Sequence, residues 1–512
     1  MSDSTAGPTD SAGKTYGQTA IRGAKFAAVA AILSRLLSLG SQIVLGVLLL
    51  PEDFTLWALV LGCVAIFAVL RESSIHRVLI ARKKEFDRLA RPALYLVVGS
   101  NLLAITLIGA LSPVFASYYE QPKLRDLLLL MCCAMFVGLG NSVYQVKVSL
   151  DLHFGFIAKT TTIVNFVRAL TMIAVAAVWA SPACFIVGYG ASLFVEAVMY
   201  RHRAGKLPPT TEPVLGPMIE ILRDGGWVML GAIATALIMQ GDFLVIGRMT
   251  TDDEQLLGFY TFGFQLSIAF ASMLIGSLGR VLAPTFSHII DDQPRLEKGV
   301  ERSFRLLTLL SALSGCLLAV SAAPGLTLVW GEKWQAAIIV VQALSFATAT
   351  RSISVIGNSL LEARGRWIIR TAILSADAIG TLLVAYIGCR LGGLTNIALC
   401  VGGYRWLVGI IATTVSLRAM GMSPMIFYRG ASGPLAITGI AAALTLTLDY
   451  QFMAELPAAV RLAVVVAVFG GLAVGAFAVF MPARLKELVQ VVGRGKKKPV
   501  AEDDRNSEPV EA

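Results

Sequence analysis

Charge is scarce in this chain. Only 15% of its 512 residues are Asp, Glu, Lys or Arg, against about 25% in a soluble globular domain. Histidine is scarcer still. His76, His153, His202 and His288 lie in or near polar connections, and no HExxH spacing occurs, so no metal site is expected. The cysteines Cys63, Cys132, Cys133, Cys184, Cys316, Cys389 and Cys400 fall within or at the ends of apolar segments, and none forms a CxxC pair. They read as small apolar packing residues, not as disulfides or metal ligands. No GxxxxGK[ST] string is present, which removes a P-loop nucleotide site, and no cofactor is expected. Residues 1–20 are polar and rich in Ser, Thr and Gly. The apolar run after them is long enough to span a bilayer, so it reads as a spanning helix and not as a cleavable signal.

Apolar sequence fills the space left by charge. Hydrophobic residues make up 56% of the chain and the mean hydropathy is +0.73, which describes a polytopic membrane protein. About fourteen segments are long and apolar enough to span as helices. They are 23–49, 55–71, 92–117, 125–147, 160–180, 183–200, 224–248, 256–282, 304–329, 335–357, 368–389, 393–416, 431–449 and 458–481. The fold class is therefore all-α and polytopic.

Loop charge alternates. One set of connections carries Arg82-Lys83-Lys84, Arg201-His202-Arg203, Arg364-Gly365-Arg366 and Lys496–Lys498; the other carries Glu52-Asp53, Asp252-Asp253-Glu254 and Glu332. The positive-inside rule makes the first side, and both termini, cytoplasmic. The net charge of +10 is spread over these short loops. That suits anionic lipid headgroups, and not nucleic acid, which would need a basic face with aromatic platforms.

The acidic turn PEDFTLWAL at 51–59 returns as TDDEQLLGFY at 251–260. The echo predicts two parallel six-helix lobes with a transport path between them. The expected division is a disordered tail over 1–20, an N-terminal lobe over 21–206, a linker over 207–220, a C-terminal lobe over 221–417, two further helices over 430–482, and a tail over 483–512.

Ionised residues lie inside the apolar segments. Arg35 sits on a helix face with Ser34, Ser38, Ser41 and Gln42, at spacings of three to four residues. Gln265, Ser272 and Arg280 share a face of the eighth segment; Asn165 and Arg168 lie one turn apart in the fifth; the tenth and twelfth contribute Arg351 and Arg405, and the intramembrane acids are Glu196, Asp242 and Asp377. A buried arginine costs about 2.5–3.5 kcal/mol on insertion scales. Five arginines against three acids therefore suggest a hydrated cationic cavity suited to an anionic ligand. The bland alternatives are pairing, for example Arg405 with Asp377, or snorkelling of Arg280, Glu196 and Arg351 to the membrane surface. Asp242 reads either as a packing salt bridge or as a switch that holds and releases an arginine.

The strings LLLPEDFTLWAL at 48–59, QGDFLVIGRM at 240–249, LGFYTFGFQL at 257–266, RVLAPTFSHI at 280–289 and LEARGRW at 361–367, in this order, resemble the polysaccharide transporter (Wzx-type) branch of the multidrug/oligosaccharidyl-lipid/polysaccharide flippase superfamily. The resemblance covers roughly residues 20–480. It implies two lobes around a V-shaped cavity lined by helices one, two, seven and eight. It also implies a flippase in the bacterial inner membrane that carries an undecaprenyl-pyrophosphate-linked oligosaccharide repeat unit. Its partners would be that substrate, the bilayer and the glycosyltransferases and polymerase of the same pathway. The substrate-binding set expected of the cavity is Arg35, Ser38, Gln42, Arg168, Asp242, Gln265, Arg280, Asp377 and Arg405. Two alternatives stand beside it. A drug/cation antiporter of the same fold would need an acidic cavity. A membrane glycosyltransferase or polymerase would use the acidic pairs Glu52-Asp53 and Asp252-Asp253 as metal ligands. A transporter is expected rather than an enzyme.

Overall fold

The computed structural model describes residues 33–482, apart from 35, 72, 152–153, 210–212, 276–281, 283–285 and 288. Both expected tails lie outside the described residues, as do Arg35 and Arg280.

The described residues form helices and their turns, with no strand among them. In order they are α1 (Leu36–Leu48), α2 (Pro51–Arg71), α3 (Ser73–Ala81), α4 (Phe86–Tyr118), α5 (Pro122–Val137), α6 (Asn141–Leu150), α7 (Phe154–Val178), α8 (Ala183–Ala204), α9 (Leu215–Met249), α10 (Leu256–Ile275), α11 (Gln293–Trp330), α12 (Ile338–Arg351), α13 (Ser354–Ala363), α14 (Trp367–Leu391), α15 (Gly393–Ala419), α16 (Met425–Leu448) and α17 (Ala458–Phe480). Among the described residues, ten helical stretches are long and apolar enough to cross a membrane, with shorter apolar helices at Leu36–Leu48 and Leu256–Ala269. One of the ten, Gln293–Ala363, is a hairpin: it turns at the 3₁₀ segment Gly331–Ala337, and α12 packs back along α11.

The acidic turns are helix caps. At the start of α2, Pro51 sets the first helical residue, a position whose amide has no intrahelical partner. The Asp53 carboxylate accepts the Leu50 backbone N–H at 2.9 Å. At the start of α10, Asp253 Oδ1 accepts the backbone N–H groups of Gln255 and Leu256 at 3.1 and 3.2 Å. These carboxylates satisfy the orphan donors of a helix start and favour its positive dipole end. The Glu52-Asp53 and Asp252-Asp253 pairs, weighed above as metal ligands, are thus explained by helix initiation.

Helices α2, α4, α5, α7 and α8 form one group, with α4 between α2 and α5 and α8 between α5 and α7; α9, α10, α12, α14 and α15 form a second group, and α16 and α17 pack on α11. The groups meet where α2 lies against α9 and α10. The approach is close because Gly258 has no side chain: a Cβ there would stand 1.8 Å from the Pro51 carbonyl oxygen.

Candidate membrane-interior site

One face of the first helical stretch presents Ser34, Ser38, Ser41 and Gln42 to a cavity of about 120 Å³. α7 contributes Asn165 and Arg168, and α10 contributes Gln265. The three-to-four-residue spacing on α1 and α7 is what turns these groups to one side. The wall nearest the Pro51–Asp53 turn is aromatic, made by Phe54, Trp57 and Phe185. Trp57 and Phe185 stack with centroids 4.9 Å apart.

Ser41 Oγ and Asn165 Nδ2 donate to the Ser38 and Thr161 carbonyls of their own helices, each at 2.9 Å, and other polar groups of this chamber are unspent. Ser34 Oγ, Gln42 Nε2 and Gln265 Nε2 are buried without a hydrogen-bond partner among the described residues. Arg168 stands 5.8 Å from the centre of the Tyr189 ring. Among the described residues it has no carboxylate partner, and it is the one charged group lining the chamber. An arginine is tolerated at such depth when it faces water or an anion.

A second cavity, of about 400 Å³, lies among α9, α10, α12, α13, α14 and α15 and is lined by Arg351, Arg370 and Arg405 between apolar walls such as Met239, Phe264 and Leu374. Its arginines are engaged. Arg405 Nη2 donates to Asp242 Oδ2 at 3.0 Å and to the Ile238 carbonyl at 3.0 Å. Tyr260 Oη donates to Asp242 Oδ2 at 2.7 Å, and the Phe243 amide donates to Oδ1 at 3.1 Å. Arg351 pairs with Asp377 at 2.6 Å. Helix α10 is the partition: Gln265 faces the first chamber, and Phe264, Ser267 and Ile268 face the second.

The set expected from sequence therefore splits. Ser38, Gln42, Arg168 and Gln265 come together in one chamber. Asp242, Asp377 and Arg405 belong to the second centre. The pairing is not Arg405 with Asp377: Arg405 binds Asp242, and Asp377 binds Arg351. Arg351 consequently does not snorkel. Asp242 is 0% exposed and accepts three hydrogen bonds, from Arg405, Tyr260 and the Phe243 amide. The aromatic wall and Arg370 escaped the sequence reading. Trp57 lies in an unbroken apolar run, and Arg370 falls at the edge of the expected segment 368–389, three residues into α14. The signal for Arg370 was its place one turn before Leu374 and two turns before Asp377, on the buried face of α14.

Both ends of the seam between the helix groups are tied. At the end with the acidic turns, side chains of the α11–α12 hairpin cap the last carbonyls of α1: Trp330 Nε1 to Ile43 O at 3.0 Å, Lys333 Nζ to Val47 O at 3.1 Å and Trp334 Nε1 to Gly46 O at 2.8 Å. Beside them, Gln255 donates to Glu52 at 3.0 Å and Thr55 to the Glu254 carbonyl at 2.5 Å. At the other end Glu220, at the start of α9, receives Arg82 at 3.0 Å and Arg88 at 2.7 Å.

The Arg88 hydrogen bond holds the Glu220 carboxyl below its ordinary value of 4.5, with Arg82 adding to it. A depressed carboxylate value means that the tie is complete above pH 4.5 and is lost only as pH falls below it. Accessibility of a Ser38→Cys probe to a thiol reagent added from this end should accordingly stay flat from neutral pH down to about 5 and rise only in stronger acid. A rise near neutrality would assign control to another group.

The polysaccharide biosynthesis protein family matches residues 44–339, more than half of the 512-residue chain. The chain belongs to this family. Similarity extends to the lipopolysaccharide biosynthesis protein WzxC of Escherichia coli, 25% identical over 384 residues that cover 73% of this chain and 77% of WzxC. It extends also to the teichuronic acid biosynthesis protein TuaB of Bacillus subtilis, 24% identical over 56% of this chain and 59% of TuaB. Among solved structures, the inward closed conformation of the lipid II flippase MurJ superposes with a TM-score of 0.68 at 12% identity, over 87% of this chain and 98% of MurJ. The Wzx-type resemblance thus holds, and this family member has the all-α polytopic fold of that superfamily.

Proposed function

We propose that this protein is a flippase that carries a polyprenyl-pyrophosphate-linked oligosaccharide repeat unit from the cytoplasmic to the outer leaflet of a bacterial inner membrane. The observation that carries this reading is the first chamber. It is polar, lies within the apolar helix bundle, and holds Arg168 with no carboxylate partner among the described residues. A glycan crossing lipid unaided loses the hydration of every hydroxyl; a chamber of serines, amides and a guanidinium replaces that water. The prenyl chain stays in the bilayer while the groups over 21–206 and 221–417 rock against each other. Lipid-linked repeat units should accumulate in a strain deleted for the gene. In liposomes, the purified protein should expose a labelled lipid-linked saccharide to an external glycosidase. Failure of both would remove the reading.

In this reading, which follows the positive-inside rule, the acidic turns lie outside and the Lys/Arg loops in the cytoplasm. Asp253→Cys should then react with an impermeant thiol reagent in intact cells and Lys84→Cys should not. The reverse pattern would invert the orientation.

A further inference from the structure

Helix α9 is longer than the membrane it crosses. Its 35 residues make about 52 Å at 1.5 Å per residue, against a hydrocarbon core of about 30 Å, and its apolar spanning part starts only at Met229. The turns before Met229 are nonetheless apolar on two faces. One face packs: Pro217 is buried, and Ile221 joins Leu79 of α3 and Phe86 and Leu89 of α4 in one cluster. The other face is bare. Leu215, Ile219 and Leu222 are 70%, 57% and 50% exposed. At the three-to-four-residue step of one helix face, this stripe runs on through the exposed Gly226 to Leu230 of the spanning part. A face that is apolar without a break from the spanning part to the helix tip is covered by one bilayer, first by its chains and then by its headgroup boundary.

Glu220, flanked by Ile219 and Leu222, is thereby held at headgroup depth. Its carboxylate receives two guanidinium groups, Arg82 at 3.0 Å and Arg88 at 2.7 Å, an arrangement that serves a phosphate as well as a carboxylate. Glu85, 3.0 Å from Arg88 and 3.9 Å from Arg82, steadies the pair from its own side of the seam. The connection is cationic: residues 82–91 carry five Lys or Arg against two acids, with Lys83 and Lys84 exposed. Nor is the cluster sealed. The side chains of Arg82, Arg88 and Glu220 are 28%, 32% and 32% exposed, so a headgroup phosphate of the same leaflet can reach them.

We propose that Arg82 and Arg88 form a site for the phosphate of an anionic phospholipid, filled in this structure by Glu220 as an internal substitute. The arginines stand at the α3–α4 connection of the first helix group and Glu220 on α9 of the second. A lipid phosphate that displaces the carboxylate therefore unties the seam at this end, and the charge of the leaflet regulates its opening. This rests on the flippase reading, in which that seam has to open.

The test uses the full-length protein in nanodiscs of phosphatidylcholine alone, or of phosphatidylcholine and phosphatidylglycerol in equal parts. Lipid retained on the protein, read by native mass spectrometry, should favour phosphatidylglycerol. Arg82→Gln combined with Arg88→Gln should remove that preference, and Glu220→Gln should increase it, since the internal competitor is gone. In the same discs a Ser38→Cys probe, read against the unsubstituted protein, should react with a soluble thiol reagent roughly fivefold or more faster when phosphatidylglycerol is present, the lower end of allosteric coupling factors. With Glu220→Gln the reaction should be fast in both compositions. Equal retention of the two lipids, a probe rate indifferent to composition, or an equal loss of preference in Lys83→Gln combined with Lys84→Gln would each overturn the proposal. So would opening by farnesyl pyrophosphate in neutral discs where phosphatidylglycerol has no effect, which would assign the arginines to the cargo. Translocation of a labelled lipid-linked saccharide in liposomes reads the flippase function separately: a carrier indifferent to lipid charge removes only this site, and an unmodified protein that translocates nothing removes the function itself.

Discussion

Arg405→Met is expected to be the most damaging single substitution in the second centre. It would leave the Asp242 carboxylate 0% exposed, with only Tyr260 and one backbone amide to hold it. Removing one partner of a buried pair costs about 3–5 kcal/mol, because the remaining charge is stranded. The protein should lose most of its thermal stability in detergent and most of its abundance in the membrane. Adding Asp242→Leu should restore much of both, since an apolar pair of similar volume is often neutral. The double variant also separates packing from switching. As a packing bridge, the pair can be removed with export retained. A double variant that is stable yet inactive would make Asp242 a functional switch after all.

Gly258→Val should abolish export by a different route. A Cβ at 258 would stand 1.8 Å from the Pro51 carbonyl and 3.0 Å from Thr55 Oγ1. Neither obstacle is the far end of a flexible chain, so α2 and α10 must part. The expected protein is folded but less stable, since the two helix groups share one apolar core in which Phe54 of α2 meets Phe262 of α10 with centroids 5.4 Å apart. Ser38→Cys in this background should become reactive towards a reagent added from the acidic-turn side, and glycan export should fall at least about tenfold, the scale of a ~1.4 kcal/mol bias against the closed state. Unchanged accessibility would show that the seam reseals by a backbone shift.

Much of the fold was legible because its signals are local. Hydropathy and loop charge place helices by length alone, and α8, expected from 183 and found from Ala183, begins after a polar Ser181-Pro182 break that nothing tertiary can blur. Ends were less legible where charged helical extensions leave the apolar zone: α9 begins at Leu215 and not near 224, because its first turns carry Glu220, Arg223 and Asp224. The site was half legible. Periodicity turned Ser38 and Gln42 to one face, and the chamber confirms that geometry. Periodicity cannot say which face of one helix meets which face of another. That is why Arg405 was matched with Asp377 when its partner, Asp242, lies 163 positions away. The aromatic wall was hidden for the same reason, since Phe54 and Trp57 become a wall only when Phe185 arrives from α8.

The single-helix thickness of the wall between the two chambers has a mechanical consequence. Gln265 and Phe264 are adjacent on α10, and the Phe264 ring lies 4.7 Å beneath the Arg405 guanidinium. The chambers are therefore antagonistic in volume: a displacement of α10 that enlarges one compresses the other. On the function proposed above, a group that wedged Gln265 aside would press Phe264 onto the clasp between Arg405 and Asp242, and occupancy on one side of the partition would be felt as strain on the other.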